Sequence, residues 1–452
     1  MSRLPITEEQ ARDAVQEVLN HPGTDGVEVM VAASDSGVTR FAGSEIIQNT
    51  AQNQIEAYVR VVADNRVAIA KTNQLDRAHL ATAAGHALQA AKASPPDAEF
   101  PGLPHPEEVG RAAGVLRWDE ATAGASPAVR AKAVNEILGA TRAGSAAGVY
   151  ETSAHVFGIF SSTGIDCFDA YTRCVNTCLV EIDGATGWSE RSSHRMDQVD
   201  VASAATAAAD KAARSRGAVV GEPGSYEVVL EPPAVAMLID FLSYMGFGAK
   251  QVIEGESFLS TRAGKNVAAP GVTIADDVFD ELSVGIGFDM EGVPKQRVEV
   301  ISEGRAEQPV SDLRTARKLG TPPTGHYSGS NEFGPYAFNL VVAPGDSSLQ
   351  DLISGISQGL LITRFHYVNI LDRPATSLTG MTRDGTFRIT DGEIGEAVTN
   401  FRFAQSVLDA LASVDGVGSE LAAFAPEYGS FGSTVAPALR LRDFNLASTT
   451  SH

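Results

Sequence analysis

The chain is 452 residues long, more than one simple core accommodates, and its length suggests two or three domains. Lys and Arg number 35 against 56 Asp and Glu, a formal net charge of −21 that repels phosphate backbones and anionic membrane surfaces and so argues against direct nucleic-acid or membrane partners. The first ten residues contain no apolar stretch of the export-signal kind, and apolar runs such as residues 234–242 fall far short of the roughly 20 residues that cross a bilayer, so a cytoplasmic location is expected.

In chain order, residues 7–20 predict a helix with Ala11, Ala14, Val15 and Val18 on one face, Thr7 and Gln10 standing at capping-box spacing. Period-two segments follow near 26–33, 36–42, 52–63 and 66–71, the last two joined by a turn at Asp64-Asn65. An Ala-rich helix over about 74–93 is expected to cover one face of this meander. Five prolines between Pro95 and Pro106 predict an extended linker. A helix near 126–140, strands near 145–153, 155–160 and 171–182, and an Ala-rich helix near 199–215 then repeat the arrangement in kind. Beyond Gly221 the texture changes: a strand at 226–230, a short buried helix at 234–245, then strands and turns with hairpin signals at Glu303-Gly304, Asp384-Gly385 and Asp391-Gly392, interrupted by a helix over 347–360 with Ser347 as its cap. The expected fold is α+β: a two-layer N-terminal region with antiparallel sheets, divided as residues 1–94, linker 95–110 and residues 111–220, and a large β-rich, barrel-like domain over residues 221–452.

Local chemistry is sparse. None of the nine histidines lies in a His-Glu-x-x-His pair, and Cys174 and Cys178 fall on an alternating segment where residues four apart stand about 13 Å apart, beyond disulfide reach. Gly355-Ile356-Ser357-Gln358-Gly359 imitates a nucleophile elbow, but Ser357 is placed late in a helix rather than on a strand-to-helix turn. Gly246-Phe247-Gly248 lacks the third glycine of a dinucleotide loop, and the segment 285–289 is assigned to a strand and turn. His366, beside Tyr367, is assigned to structure or peptide contact, since general-base work requires an orienting carboxylate such as Asp372 or Asp384. His326 is assigned to a Gly- and Ser-rich loop. Asp289 and Glu291 are expected to fix a turn rather than to attract peptide amines.

An ordered series of short stretches nevertheless resembles one family. Glu256-Ser257-Phe258-Leu259, Val267-Ala268-Ala269-Pro270, Val272-Thr273-Ile274-Ala275-Asp276-Asp277, Phe288-Asp289-Met290-Glu291-Gly292-Val293-Pro294, Thr315-Ala316-Arg317-Lys318-Leu319-Gly320, Pro344-Gly345-Asp346 and Asp391-Gly392-Glu393-Ile394 are similar, in order and spacing, to the signature run of the TldD/PmbA or modulator-of-DNA-gyrase family. That resemblance implies two subunit types. The TldD type carries a zinc-binding His-Glu-x-x-x-His helix shortly before the Ser-Phe-Leu run and a distal Cys ligand, whereas the PmbA or TldE type lacks both and pairs with TldD. Counting back from Ser257 places the metal helix near residues 240–245, which here read Asp240-Phe241-Leu242-Ser243-Tyr244-Met245, and residues 420–441 hold no Cys. Zinc needs converging nitrogen or sulfur donors, and hydrolysis needs a carboxylate to take the water's proton. The resemblance therefore implies a chain with no catalytic, cofactor-binding or metal residue of its own and zinc in a TldD-like metallopeptidase partner. Small or unfolded peptides are the implied substrate. The alternatives are an independent homodimeric peptide-binding or regulatory protein, and a divergent peptidase.

Overall fold

The computed structural model describes residues 4–426 and 431–450. Strands β1 (Gly26–Ala42), β2 (Glu45–Ala63), β3 (Arg66–Thr72), β4 (Ser145–Ser161), β5 (Asp166–Ile182) and β6 (Ala185–Ser193) form one six-stranded antiparallel sheet in the order β3-β2-β1-β4-β5-β6. Its tight turns follow from sequence: Asp64-Asn65 and Asp183-Gly184 place both central residues at positive φ, the geometry that matches the right-handed twist of a hairpin. The β1–β4 pairing joins strands from either side of the Pro-rich segment, so the two helix-strand-helix units share one sheet.

The break expected between residues 33 and 36 is absent, and β1 runs straight through. Asn53 Nδ2 donates to Asp35 Oδ1 at 2.6 Å across the β1–β2 pair, and Gly37 leaves room for the Arg130 guanidinium, which a Cβ there would meet at 2.2 Å. Helices Arg77–Ala93, Pro127–Ala140 and Val201–Arg214 cover the sheet, each started by a side-chain cap from Asp76, Ser126 and Asp200 respectively. Their alanines permit close approach: a Cβ on Gly187 of β6 would lie 2.1 Å from the Ala208 carbonyl oxygen. The first helix is shorter than expected, Glu8–Val15, with the Thr7–Gln10 capping box formed and a single 3₁₀ turn, Val18–Asn20, after it.

The C-terminal domain holds two further sheets. Strands β7 (Gly224–Leu230), β12 (Gln358–Asp372), β13 (Ser377–Thr390), β15 (Phe401–Ser406) and β19 (Leu439–Thr449) pair in the cycle β12-β7-β19-β15-β13-β12, a closed barrel, with β14 (Glu393–Ala397) added to β13 and β16 (Val414–Val417) to β19. Phe365, Phe403 and Phe444 fill its core, with ring centroids 4.7–5.6 Å apart. Strands β8 (Ile274–Asp276), β9 (Val298–Ser302), β10 (Arg305–Ala306), β11 (Asn339–Val342), β17 (Ala422–Phe424) and β18 (Ser433–Ala436) form the second, in the order β10-β9-β8-β11-β18-β17. The helix Pro232–Gly246 packs against both β12 and β18.

Three local expectations are corrected. The helix expected over 347–360 spans only Leu349–Ser354, is capped by Ser348, and gives way after Gly355 to the β12 strand. Asp384-Gly385 is not a hairpin turn; it lies inside β13, where Arg364 Nε donates to Asp384 Oδ2 at 2.7 Å and Thr186 Oγ1 donates to Oδ1 at 2.7 Å, holding the residue at positive φ. Residues 285–289 form no strand, only an isolated bridge from Phe288 to Pro294. Glu303-Gly304 and Asp391-Gly392 do turn the β9–β10 and β13–β14 hairpins.

Buried contacts that lock the N-terminal sheet to the C-terminal domain include two built on carboxylates. The Asp169 carboxylate accepts the Val115 and Gly287 amides at 2.8 and 2.9 Å. Arg60 on β2 stands 3.0 Å from Glu28 on β1 and 3.8 Å from Glu291, all three side chains being buried.

Candidate functional site

The helix Pro232–Gly246 starts with prolines in its first turn, where a missing N–H costs nothing, and continues almost entirely apolar. Ten of its residues are buried, and Pro233, Met237, Asp240 and Tyr244 form its partly exposed face. That face is the floor of a trough. One cavity of about 740 Å³ is lined by Asp240, Phe241 and Tyr244; an adjoining one of about 260 Å³ shares Asp240 and adds Pro233, Met237 and Trp188; a third of about 510 Å³ shares Trp188, Glu190 and Pro233. The edge strand β17 borders the second and third through Phe424.

An aromatic wall closes the first of these cavities. Centroid distances are 5.8 Å from Tyr244 to Phe333, 5.3 Å from Phe333 to Tyr336, 4.9 Å from Tyr336 to Phe338 and 4.9 Å from Phe338 to Phe431. Arg373 lies 4.7 Å over the Tyr244 ring, and the Lys295 ammonium lies 5.5 Å from the Phe338 centroid. Burial pushes the Tyr336 phenol well above its ordinary range, so it stays neutral. Thr434 Oγ1 donates to Asp240 Oδ1. The cavity thus offers apolar and aromatic surface with a carboxylate and a guanidinium at its margin, the composition of a site that takes an apolar side chain and orients it with a few polar groups.

Behind the wall lies a polar network. His326, expected in a loop, does lie in irregular chain but is fully buried: its Nε2 stands 3.0 Å from Asp276 Oδ1 and its Nδ1 2.9 Å from Thr324 Oγ1. Lys295 Nζ donates to Asn339 Oδ1 at 3.0 Å, and the Asn339 backbone N–H donates to Asp276 Oδ2 at 2.9 Å. Burial pushes the Asp276 carboxyl up, but Lys295 and His326 outweigh it and hold it at about 2. Asp289 accepts the Glu291, Val293 and Tyr327 amides at 2.8–3.0 Å and so fixes a turn, while buried Glu291 faces Arg60 rather than solvent.

The residues singled out from sequence do not assemble into a reactive centre. Ser357 is exposed on the turn from a helix into a strand, the reverse of a nucleophile elbow. His366 sits half-buried on β12 with its ring 6.0 Å from that of Tyr367, and burial followed by Arg364 and Arg383 lowers its pKa. Its proposed orienter Asp384 is engaged by Arg364 and Thr186, and Asp372 accepts the Ala375 amide. Cys167, Cys174 and Cys178 are free and buried, and burial pushes each thiol up to about 12. Among the described residues, no group of three or more His, Cys, Asp or Glu side chains is placed to hold a metal ion. The helix face fits zinc poorly, with one hydroxyl-bonded carboxylate, Asp240, beside Phe241 and Tyr244 and no imidazole. The expected distal-ligand segment 420–441 includes residues 427–430, which lie outside the described residues. Sequence reasoning missed the aromatic wall; the density of rings in Phe333, Tyr336 and Phe338 was the available signal.

Residues 223–448 match the family model described as PmbA/TldA metallopeptidase C-terminal domain, which sets the class of the barrel and the trough beside it. A metalloprotease of Methanothermobacter thermautotrophicus is 28% identical over 229 residues, 50% of this chain and 50% of that protein. The metalloprotease PmbA of Escherichia coli O157:H7 is 26% identical over 175 residues, 38% of this chain and 36% of that protein. The chain thus spans half or less of the length of these curated relatives. The crystal structure of TldE from Thermococcus kodakarensis has the same fold, with a TM-score of 0.86 at 20% identity, covering 96% of this chain and 100% of that one. The chain belongs to the TldD/PmbA family.

Proposed function

We propose that this chain is a PmbA/TldE-type partner subunit of a TldD-type zinc metallopeptidase, and that its trough holds part of an extended peptide while the partner's zinc site hydrolyses it. The observation that carries this reading is the helix Pro232–Gly246: at the place where the resemblance puts metal ligands, it presents Asp240, Phe241 and Tyr244 to an aromatic cavity of about 740 Å³. Aromatic surface binds apolar side chains with little demand on sequence. The neighbouring edge strand β17 supplies backbone groups for strand addition, which recognises any extended chain through its main-chain hydrogen bonds. In this reading the chain contributes binding and enclosure, and the partner contributes the Lewis acid and the nucleophilic water.

The test is a native pull-down of the chain from its own cell extract, followed by intact-complex mass measurement and metal analysis. A one-to-one complex with a zinc-bearing chain containing His-Glu-x-x-x-His is expected. Recovery without any such chain would overturn the assignment in favour of an independent peptide-binding protein, and stoichiometric metal in the isolated chain would overturn it in favour of a divergent peptidase.

A further inference from the structure

Strand β2 is nineteen residues long, but its outer neighbour β3 pairs only with residues 57–63, the last match being Ala57 with Thr72. Residues 45–55 therefore form a sheet edge, and every one of them is exposed. An edge of this length is a template for another strand, and proteins normally guard such edges with lysine, proline or inward charge. This one carries no charged guard; its irregularity is a β-bulge at Ile47, where Phe41 pairs with Ile46 and Arg40 with Gln48. From Ile46 to Ile55 it holds no charged residue and no proline, in a molecule whose net charge is −21. Ile47 and Ile55 are 64% and 37% exposed.

Two features select the occupant. The first is register. Ala63 and Arg66 flank the two-residue turn Asp64-Asn65 and so form a close hydrogen-bonded pair, which directs the N–H and C=O of the odd-numbered β2 residues toward β3. The Asp25 amide bonding to the Val62 carbonyl on the opposite side agrees with this alternation. Beyond Ala57 the backbone groups of Ile55, Asn53, Ala51 and Asn49 consequently point out of the sheet edge. The second is sequence. Ile47-Gln48-Asn49-Thr50-Ala51-Gln52-Asn53-Gln54-Ile55 reads nearly the same in both directions about Ala51. A two-fold axis at Ala51 sets Asn49 against Asn53, Gln48 against Gln54 and Ile47 against Ile55, with Thr50 against Gln52 the one unlike pair. The same axis pairs odd residues with odd residues, so the outward N–H and C=O groups of each copy meet those of the other. A two-fold contact is self-complementary by construction, and a palindromic strand meets that requirement without any other change.

We propose that two copies of this chain pair antiparallel through the free edge of β2 about an axis at Ala51, joining their six-stranded sheets into one continuous sheet. Gln48 then meets Gln54 of the other copy, Asn49 and Asn53 keep their bonds to Arg130 and Asp35 within each chain, and two acidic molecules meet along their uncharged strip. The surface shares no residue with the trough, so the trough and any subunit that closes it are left free.

The test uses the full-length chain. Native mass measurement is expected to give twice the 47.4 kDa chain mass. Ala51→Cys places two thiols across the axis with Cα atoms about 5.5 Å apart, within disulfide range; mild oxidation is expected to link the copies, because the three native cysteines are buried. Ala51→Lys sets two ammonium groups against each other and is expected to weaken the dimer about tenfold or more with an unchanged melting temperature. A wild-type chain of single mass overturns the proposal, as does a dimer that Ala51→Cys does not link and Ala51→Lys does not weaken. If Ala51→Lys instead leaves the dimer intact and abolishes capture of a zinc-bearing subunit, the edge belongs to that heterologous contact; this proposal fails and the partner-subunit reading stands.

Discussion

Tyr244 is the residue through which the helix Pro232–Gly246 meets the aromatic wall, packed against Phe333 and covered by Arg373. Aromatic anchors at the centre of a contact typically carry more than 1 kcal/mol, so Tyr244→Ala should weaken binding of an unfolded, aromatic-containing peptide about tenfold. Fluorescence anisotropy with a labelled peptide measures this, and an affinity equal to wild type would place the peptide elsewhere. Asp289 provides a prediction about pH. Burial pushes its carboxyl up to about 7 from an ordinary 3.8, against the pull of three amide donors. The folded chain then keeps a proton that the unfolded chain releases near 3.8, so this group's contribution to stability falls as pH rises from about 4 to about 7 and is level above. Asp276 acts in the opposite sense: held at about 2, it contributes above 3.8 and that contribution is lost on acidification toward 2. Melting temperatures between pH 4 and 7 should decline less for Asp289→Asn than for wild type; parallel curves would mean that Asp289 is ionised in the fold.

At the scale of elements, the contact between β6 and the helix Val201–Arg214 depends on a missing side chain. A Cβ at Gly187 would lie 2.1 Å from the Ala208 carbonyl and 2.4 Å from the Ala212 nitrogen, both backbone atoms that cannot swing aside. Gly187→Val should destabilise the protein by about 1–3 kcal/mol, read from urea midpoints, and an unmoved midpoint would refute this close approach. Elements with a cap and a long apolar period were legible from sequence: Ser126 and Asp200 start helices within a residue or two of expectation. The helix expected to reach residue 360 was overextended because the apolar run continues through Ile356, Leu360 and Leu361, of which Leu360 and Leu361 belong to β12 and are buried as strand residues. Strand β6 was missed because Ala185–Ser193 is small and polar, its burial coming from the helix laid across it. The family's signature stretches located the helix that floors the trough. The wall was legible only in the ring density of Phe333, Tyr336 and Phe338; its assembly was not, since Tyr244, Phe338 and Arg373 converge from distant parts of the chain and local periodicity carries no record of that. The burial of His326 is hidden for the same reason: its partner Asp276 lies on a strand fifty residues earlier.

At the scale of the whole molecule, a buried cation of the N-terminal sheet, Arg60, faces carboxyls of both the sheet and the C-terminal domain. Arg60 stands between Glu28, 3.0 Å away in the same sheet, and Glu291, 3.8 Å away in the other domain, with the Tyr327 ring 5.2 Å from its guanidinium carbon. Burial raises the pKa of both carboxyls, and Asp289 raises Glu291 further, while Arg60 opposes the rise in each. Arg60→Met would preserve most of the stem's packing and leave two carboxyls without their cation. Breaking a buried pair in this way typically costs about 3–5 kcal/mol, and that loss is expected at pH 7. Because each carboxyl is easier to protonate in the folded state than in the unfolded chain, acidification relieves the penalty, so the variant's deficit relative to wild type should shrink at pH 5. Urea unfolding at the two pH values measures it. Adding Glu28→Gln and Glu291→Gln to Arg60→Met should recover much of the loss at pH 7, since neutral amides need no counter-charge. A deficit of equal size at both pH values, unrelieved by the two amides, would show that Arg60 holds the domains together by packing against Tyr327 rather than by charge.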